Sequence, residues 1–183
     1  MKLKKNLLMP LTFTGIVLVL DQVSKAIIHG LWPIAEGERY RFITQVFSND
    51  FLQIIHVRNK AIAFSLGRNL PEVIQPVLFI VLPLLVLGVL LWYYFRTTDF
   101  TRLQRWAVAG ILGGGIGNLI DRVFRPDGVI DFIDIKFYGL FGWERWPTFN
   151  VADASVVICC LLLLVSIIIV SVKGKKPKKK VQK

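Results

Sequence analysis

Residues 77–94 read VLFIVLPLLVLGVLLWYY, a run without a single charged side chain. With its apolar flanks the segment extends from about Val73 to Phe95. At about 1.5 Å of rise per residue, a helix of roughly 20 residues crosses the hydrocarbon core of a bilayer. Backbone groups in lipid must satisfy one another, so a helix is the expected conformation. Pro83 falls inside the run; a membrane helix tolerates it with a kink. Working outward, similar segments run from about Leu7 to Ile28, Trp106 to Val123 and Ala152 to Val172. The expected fold is a membrane all-α protein, with four transmembrane helices and a small extracytoplasmic β-sheet and loop region. Residues 1–172 are expected to form one domain, followed by a basic tail over 173–183.

The composition agrees. Of 183 residues, 54% are hydrophobic and the mean hydropathy is +0.57. The formal net charge is +11, but the cations are concentrated at the two ends and in one short link. A nucleic-acid binder shows a basic stripe with interleaved aromatics on a soluble fold, so nucleic acid is not expected as a partner. Lys2, Lys4 and Lys5, then Arg96, Arg102 and Arg105, then the Lys-rich tail from Lys173 to Lys183 all fall on one side of a four-helix topology. The positive-inside rule makes that side cytoplasmic, with both termini there and the loops of about 29–72 and 124–151 outside. The N-terminus also has features of a cleavable signal peptide, with small residues at Ser24 and Ala26, but Asp21 fits that pattern poorly. Cys159 and Cys160 are adjacent in an apolar run and read as packing residues. His29 and His56 are isolated and form no metal motif.

The outer loops hold short β-prone runs at Arg41–Phe47, Phe51–Val57 and Val129–Phe137, expected to form the sheet. Trp143, Trp146 and Phe149 suit the headgroup level, as aromatic belts do.

Polar side chains in or beside membrane helices carry the functional signal, because each is costly in lipid. Asp21 and Lys25 stand four apart on one face of the first helix; Asn118, Asp121 and Arg122 share a face of the third. Asn150 and Asp153 open the fourth segment, and Asp131 lies in the loop between. Counting about 1.5 Å per residue, Asp21 lies about 21 Å beyond Leu7 and Asp121 about 22 Å beyond Trp106, so the acids converge on one outer layer. Structural roles also fit these residues singly: an Asp121–Arg122 ion pair, Lys25 snorkelling beside Asp21, and Asn150 capping a helix whose dipole favours Asp153. Gly113, Gly114, Gly115 and Gly117 suit close helix approach. Coincidence in depth points beyond those roles. Two close carboxylates share a proton, so one can activate water while the other protonates a peptide carbonyl, with no metal and no cofactor. A proton- or cation-coupled transporter would use the same residue types, but through the bilayer's depth. A binding protein with the same pocket would bind without turnover.

Five blocks, in order, resemble the lipoprotein signal peptidase (signal peptidase II) family. They are Asp21-Gln22-Val23-Ser24-Lys25, Asn59-Lys60-Ala61-Ile62-Ala63-Phe64-Ser65, Gly113 to Val123, Val129-Ile130-Asp131-Phe132, and Trp146-Pro147-Thr148-Phe149-Asn150-Val151-Ala152-Asp153. The resemblance implies an aspartic endopeptidase of the bacterial inner membrane, acting near its outer face; a monomer is expected. Its implied substrate is a lipidated prolipoprotein, cut just before the diacylglyceryl-modified cysteine, with membrane lipid as surroundings. It also implies Asp131 and Asp153 as the catalytic pair, with Asn59, Asn118, Asp121, Arg122 and Asn150 lining and orienting the site. Asp21, Lys25 and Phe64 would support it, Phe64 from an apolar loop over the site. Ala61 stands where the family has glycine.

Overall fold

The computed structural model describes residues 7–32, 44–59, 71 and 74–174. In chain order they form α1 (Leu11–Leu31), β1 (Thr44–Ser48), β2 (Leu52–Asn59), α2 (Val77–Arg96), α3 (Arg102–Phe124), β3 (Val129–Ile135) and α4 (Val151–Gly174). All four helices are long and apolar enough to cross a membrane. Phe64, Ala61, the run 41–43, the first six residues and the Lys-rich tail from 175 lie outside the described residues.

Helix α3 is the centre of the bundle. Half of its most apolar window (50%) is buried, against 11–22% for the others, whose leucines, isoleucines and valines face outward as a lipid-facing surface requires. The glycines of α3 allow this. A Cβ on Gly117 would stand 2.6 Å from Asp21 Oδ2 on α1, and one on Gly114 would collide with the Ala152 carbonyl on α4. Neighbouring backbones can therefore approach to where only hydrogen fits.

Helix α3 begins before its apolar run because Thr101 and Gln104 form a reciprocal capping box that satisfies two end donors. In α2, Pro83 does not break the helix. The turn before it widens into π geometry over Val77–Val81, with Leu82 N–H donating to Val77 O, so the ring is accommodated without a gap in the ladder. At the end carrying the chain link 97–101, Tyr94, Val108 and Leu112 pack together, and the Tyr94 hydroxyl donates to Leu7 O at 2.6 Å.

At the opposite end sits a three-stranded antiparallel sheet in the order β1-β2-β3. It rests on the bundle through Ile28, Ile130 and Phe132, with Trp32, Ile54, Ile133 and Val151 around them. Pairing of β2 with β3 slips between Ile54 and Val57, where one extra β2 residue makes a bulge. The outer edge of β3 is covered by the returning chain, with Ile133 bridged to Phe149. Phe149 is therefore held in backbone pairing, while Trp143 and Trp146 meet edge to face with centroids 5.1 Å apart. Cys159 is buried beneath Gly110 of α3, a packing position, and Cys160 faces outward.

Candidate active site

The end of α1 brings two ionic groups under the sheet. Asp21 and Lys25, four residues apart, are both fully buried, with Lys25 Nζ 2.8 Å from Asp21 Oδ2. Lys25 does not snorkel outward as a lone interfacial lysine would. Its Nζ also lies 3.0 Å from Asp121 Oδ2 and 3.0 Å from Asn118 Oδ1, so one ammonium is shared by two carboxylates and an amide. Buried charge is tolerable only when partnered in this way. Asp21 Oδ1 in turn accepts from Ala152 N at 3.0 Å, tying α1 to the first turn of α4.

Asp121 is also fully buried. The Asp121–Arg122 ion pair suggested by their adjacency does not form. Successive residues point to different faces of a helix, so Asp121 takes Lys25 and, one turn on, Arg125. It also accepts from Gln22 Nε2 at 3.1 Å and from Ile130 N at 3.3 Å. Arg122 Nη1 donates to Asn118 O at 3.4 Å, in the field of Asp153, Asp131 and Asp121.

Two asparagines carry the network to the remaining acids. Asn118 Nδ2 donates to Asp153 Oδ1 at 2.7 Å, while its Oδ1 accepts from Lys25 and from Asn150 Nδ2 at 3.1 Å. Asn150 Nδ2 also reaches Asp131 Oδ1 at 2.7 Å and Ile130 O at 3.3 Å. Two amide protons thus serve three acceptors. Asn150 caps α4 as well: its Oδ1 accepts from Asp153 N at 2.9 Å, and its own N–H donates to Asp153 Oδ2 at 3.2 Å. Asn59, at the last position of β2, donates to Asp131 Oδ2 at 2.9 Å. Burial and the neighbouring Asp153 carboxylate push Asp131 up to about 7, against the pull of Asn59, Asn150 and Lys25.

Asp21, Lys25, Asn59, Asn118, Asp121, Arg122, Asp131, Asn150 and Asp153 therefore occupy one polar region between the bundle and the sheet. Phe64 lies outside the described residues. Gln22 and Arg125 belong to the same network without having been singled out as site residues; the signals were Gln22's place in the first block and the four-residue spacing of Arg125 from Asp121. Among the described residues, no group of three or more His, Cys, Asp or Glu side chains is arranged to hold a metal ion.

Four crossing helices with a buried network of acids and amides at one end define a multi-pass membrane protein with a polar site under an extramembrane sheet. The chain matches the peptidase A8 family, signal peptidase (SPase) II, over residues 13–169. It is 46% identical to the lipoprotein signal peptidase of Treponema pallidum over 159 residues, 86% of this chain and 82% of that one. With the Treponema denticola lipoprotein signal peptidase it shares 43% identity over 177 residues, 96% and 97% of the two chains. A solved structure described as a bacterial membrane enzyme, determined by the in meso method, superposes with a TM-score of 0.72 at 26% identity, covering 93% of each chain. The chain belongs to the signal peptidase II family, and it is a multi-pass bacterial membrane peptidase.

Proposed function

We propose that this protein removes the signal peptide from lipidated prolipoproteins by cutting just before the diacylglyceryl-modified cysteine, with Asp131 and Asp153 as the reacting pair. The supporting observation is the bridge Asp131–Asn150–Asn118–Asp153. A buried carboxylate, Asp131, and a half-buried one, Asp153, come from different elements and are held in one hydrogen-bonded unit, and Asp131 is raised to about 7.

At neutral pH Asp131 then carries a proton much of the time, and the pair shares it. Asp153 presents both oxygens as acceptors, each already oriented by one donor. It takes a proton from water as the oxygen attacks the scissile carbonyl, while Asp131 donates to the carbonyl oxygen. The tetrahedral species collapses as a proton reaches the departing amine of the cysteine and the C–N bond breaks. Lys25, Asp21, Asp121 and Gln22 hold the floor of the site, and Arg122 offers a cation to the carbonyl region. A lipidated substrate stays in the bilayer, so entry is sideways at headgroup depth. The site end faces the outside, both termini face the cytoplasm, the enzyme acts as a monomer, and residues 1–172 form the peptidase domain ahead of the basic tail.

The test of the pair is replacement. Asp131→Asn and Asp153→Asn each keep the shape but remove the exchangeable acid, and each is expected to insert into the membrane and fail to cleave. A fully active Asp153→Asn protein would refute the assignment.

A further inference from the structure

His56 has no exposed surface, and its Nδ1 lies 2.7 Å from Trp32 O. A carbonyl only accepts, so Nδ1 carries the proton. Trp32 is the residue that ends α1, where carbonyls lack intrahelical partners. Two residues beyond His56, Arg58 Nη2 donates to Nδ1 of His29 at 2.9 Å, in the last turn of α1. The two imidazoles meet edge to face, 5.9 Å between centroids. Strand β2 is thus fastened to the end of α1 at residues 56 and 58, and the next residue is Asn59, whose amide donates to Asp131 Oδ2.

The fastening falls where β2 loses its regular pairing with β3, although His56 keeps Thr44 of β1 as its partner on the other side. Between Ile54 and Val57 the β2–β3 ladder is interrupted by the bulge, and His56 lies within it. A bulge bends a strand and leaves a residue outside the ladder. Hydrogen bonds to β3 alone therefore do not fix how the end of β2 sits over the bundle. Packing does not require a histidine here either. The Nε2 of His56 is buried without a partner among the described residues, a cost that a plain aromatic ring would not carry.

We propose that His56 is a positioning residue: its hydrogen bond to Trp32 O fixes the bulged strand on the end of α1 and thereby holds the Asn59 amide on Asp131. Burial, with Arg58 and His29 nearby, holds the ring below the ordinary histidine range despite the Trp32 bond, so the clamp is neutral at working pH. The role in catalysis rests on Asp131 being one of the reacting pair.

The test reads Asp131 directly. Infrared difference spectroscopy on the full-length protein in detergent follows the protonated carboxyl band that Asp131→Asn removes, across the neutral range. Asp153, Lys25 and Arg122 face the same region and stay unchanged in every variant. Asn59→Leu deletes a donor to the ionised carboxylate, so the band should titrate about one pH unit higher. His56→Phe should shift it in the same direction, and the double variant no further than Asn59→Leu alone. His56→Asn, whose amide can replace Nδ1 as donor, should stay near wild type, whereas His56→Gln, which mimics the other nitrogen, should shift; this comparison stands even where His56→Phe does not fold. Wild-type titration in His56→Gln or His56→Phe, or a double variant shifted by the sum of the single shifts, would overturn the positioning role. Cleavage is assayed in the same samples. A wild type that shows this titration pattern but does not cleave would sink the peptidase role of Asp131 and leave the clamp standing.

Discussion

Asp131 takes a hydrogen bond on each oxygen, from Asn150 and Asn59, and is still raised to about 7, because burial and Asp153 outweigh the donors. On the proposed mechanism the pair works only while it holds a proton, so kcat/KM should fall as pH rises past about 7. A pH–rate profile checks this; a plateau continuing well above that pH would contradict it. Stability has a definite sign. The folded-state value lies above the ordinary 3.8, so the folded protein binds the proton more tightly than the unfolded chain. The group's contribution is complete below about 4, declines as pH rises, and is gone above about 7. Asp131→Asn, which cannot ionise, should therefore raise the thermal midpoint at about pH 8 and change it little at about pH 4. Lys25 contributes through its ion pairs, its ammonium being the shared partner of Asp21 and Asp121. Lys25→Met leaves the buried Asp21 without a cation and Asp121 with Arg125 alone, and should destabilise the protein by about 3–5 kcal/mol in detergent unfolding, more than loss of an exposed lysine would. The acids and amides of this network were legible one by one, because charge in an apolar helix is conspicuous. Their pairings were not. Adjacency suggested Asp121 with Arg122, and only helix phase and neighbour contacts give Asp121 to Lys25 and Arg125.

The elements divide the same way. Each long helix is readable from its apolar run, but the ends are set by polar residues that hydropathy discounts. Thr101 and Gln104 extend α3 ahead of Trp106, and Asn150 starts α4 one residue before the run. The β2 bulge left no mark in the alternation of residues 51–57, since it is a property of pairing with β3. The glycines of α3 were readable as a close-packing stripe, and the structure gives that stripe a partner at each position. Gly117→Ala puts a methyl 2.6 Å from Asp21 Oδ2, against a carboxylate already committed to Lys25 and Ala152 N. Overpacking of that kind should cost about 1–3 kcal/mol and loosen α1 from α3, measurable as a lower unfolding midpoint. The exposed Gly88 of α2 has open space around it, so Gly88→Ala is the matching control and should be neutral or slightly stabilising.

For the whole molecule, four apolar runs gave the architecture and five ordered blocks gave the family. The packing order was not legible, because every run is apolar enough to face lipid; α3 is central through its glycines. The proposed orientation can be checked by labelling. With Cys159 and Cys160 replaced by Ala, a cysteine at the exposed Glu144 should react with an impermeant maleimide from the outside of intact cells, and one at the exposed Thr98 only after lysis. Reversed labelling would invert the topology. Whether Asp131 and Asp153 together hydrolyse a peptide bond next to a lipidated cysteine is decided by one assay. Purified full-length protein in detergent, with EDTA present, is given a lipidated cysteine-containing prolipoprotein peptide, beside its Asp131→Asn and Asp153→Asn forms. A two-aspartate mechanism predicts cleavage before the cysteine by wild type and a loss of about 10²–10⁴-fold or more in each variant. Comparable cleavage by either variant, or binding without cleavage by folded wild type, would contradict it.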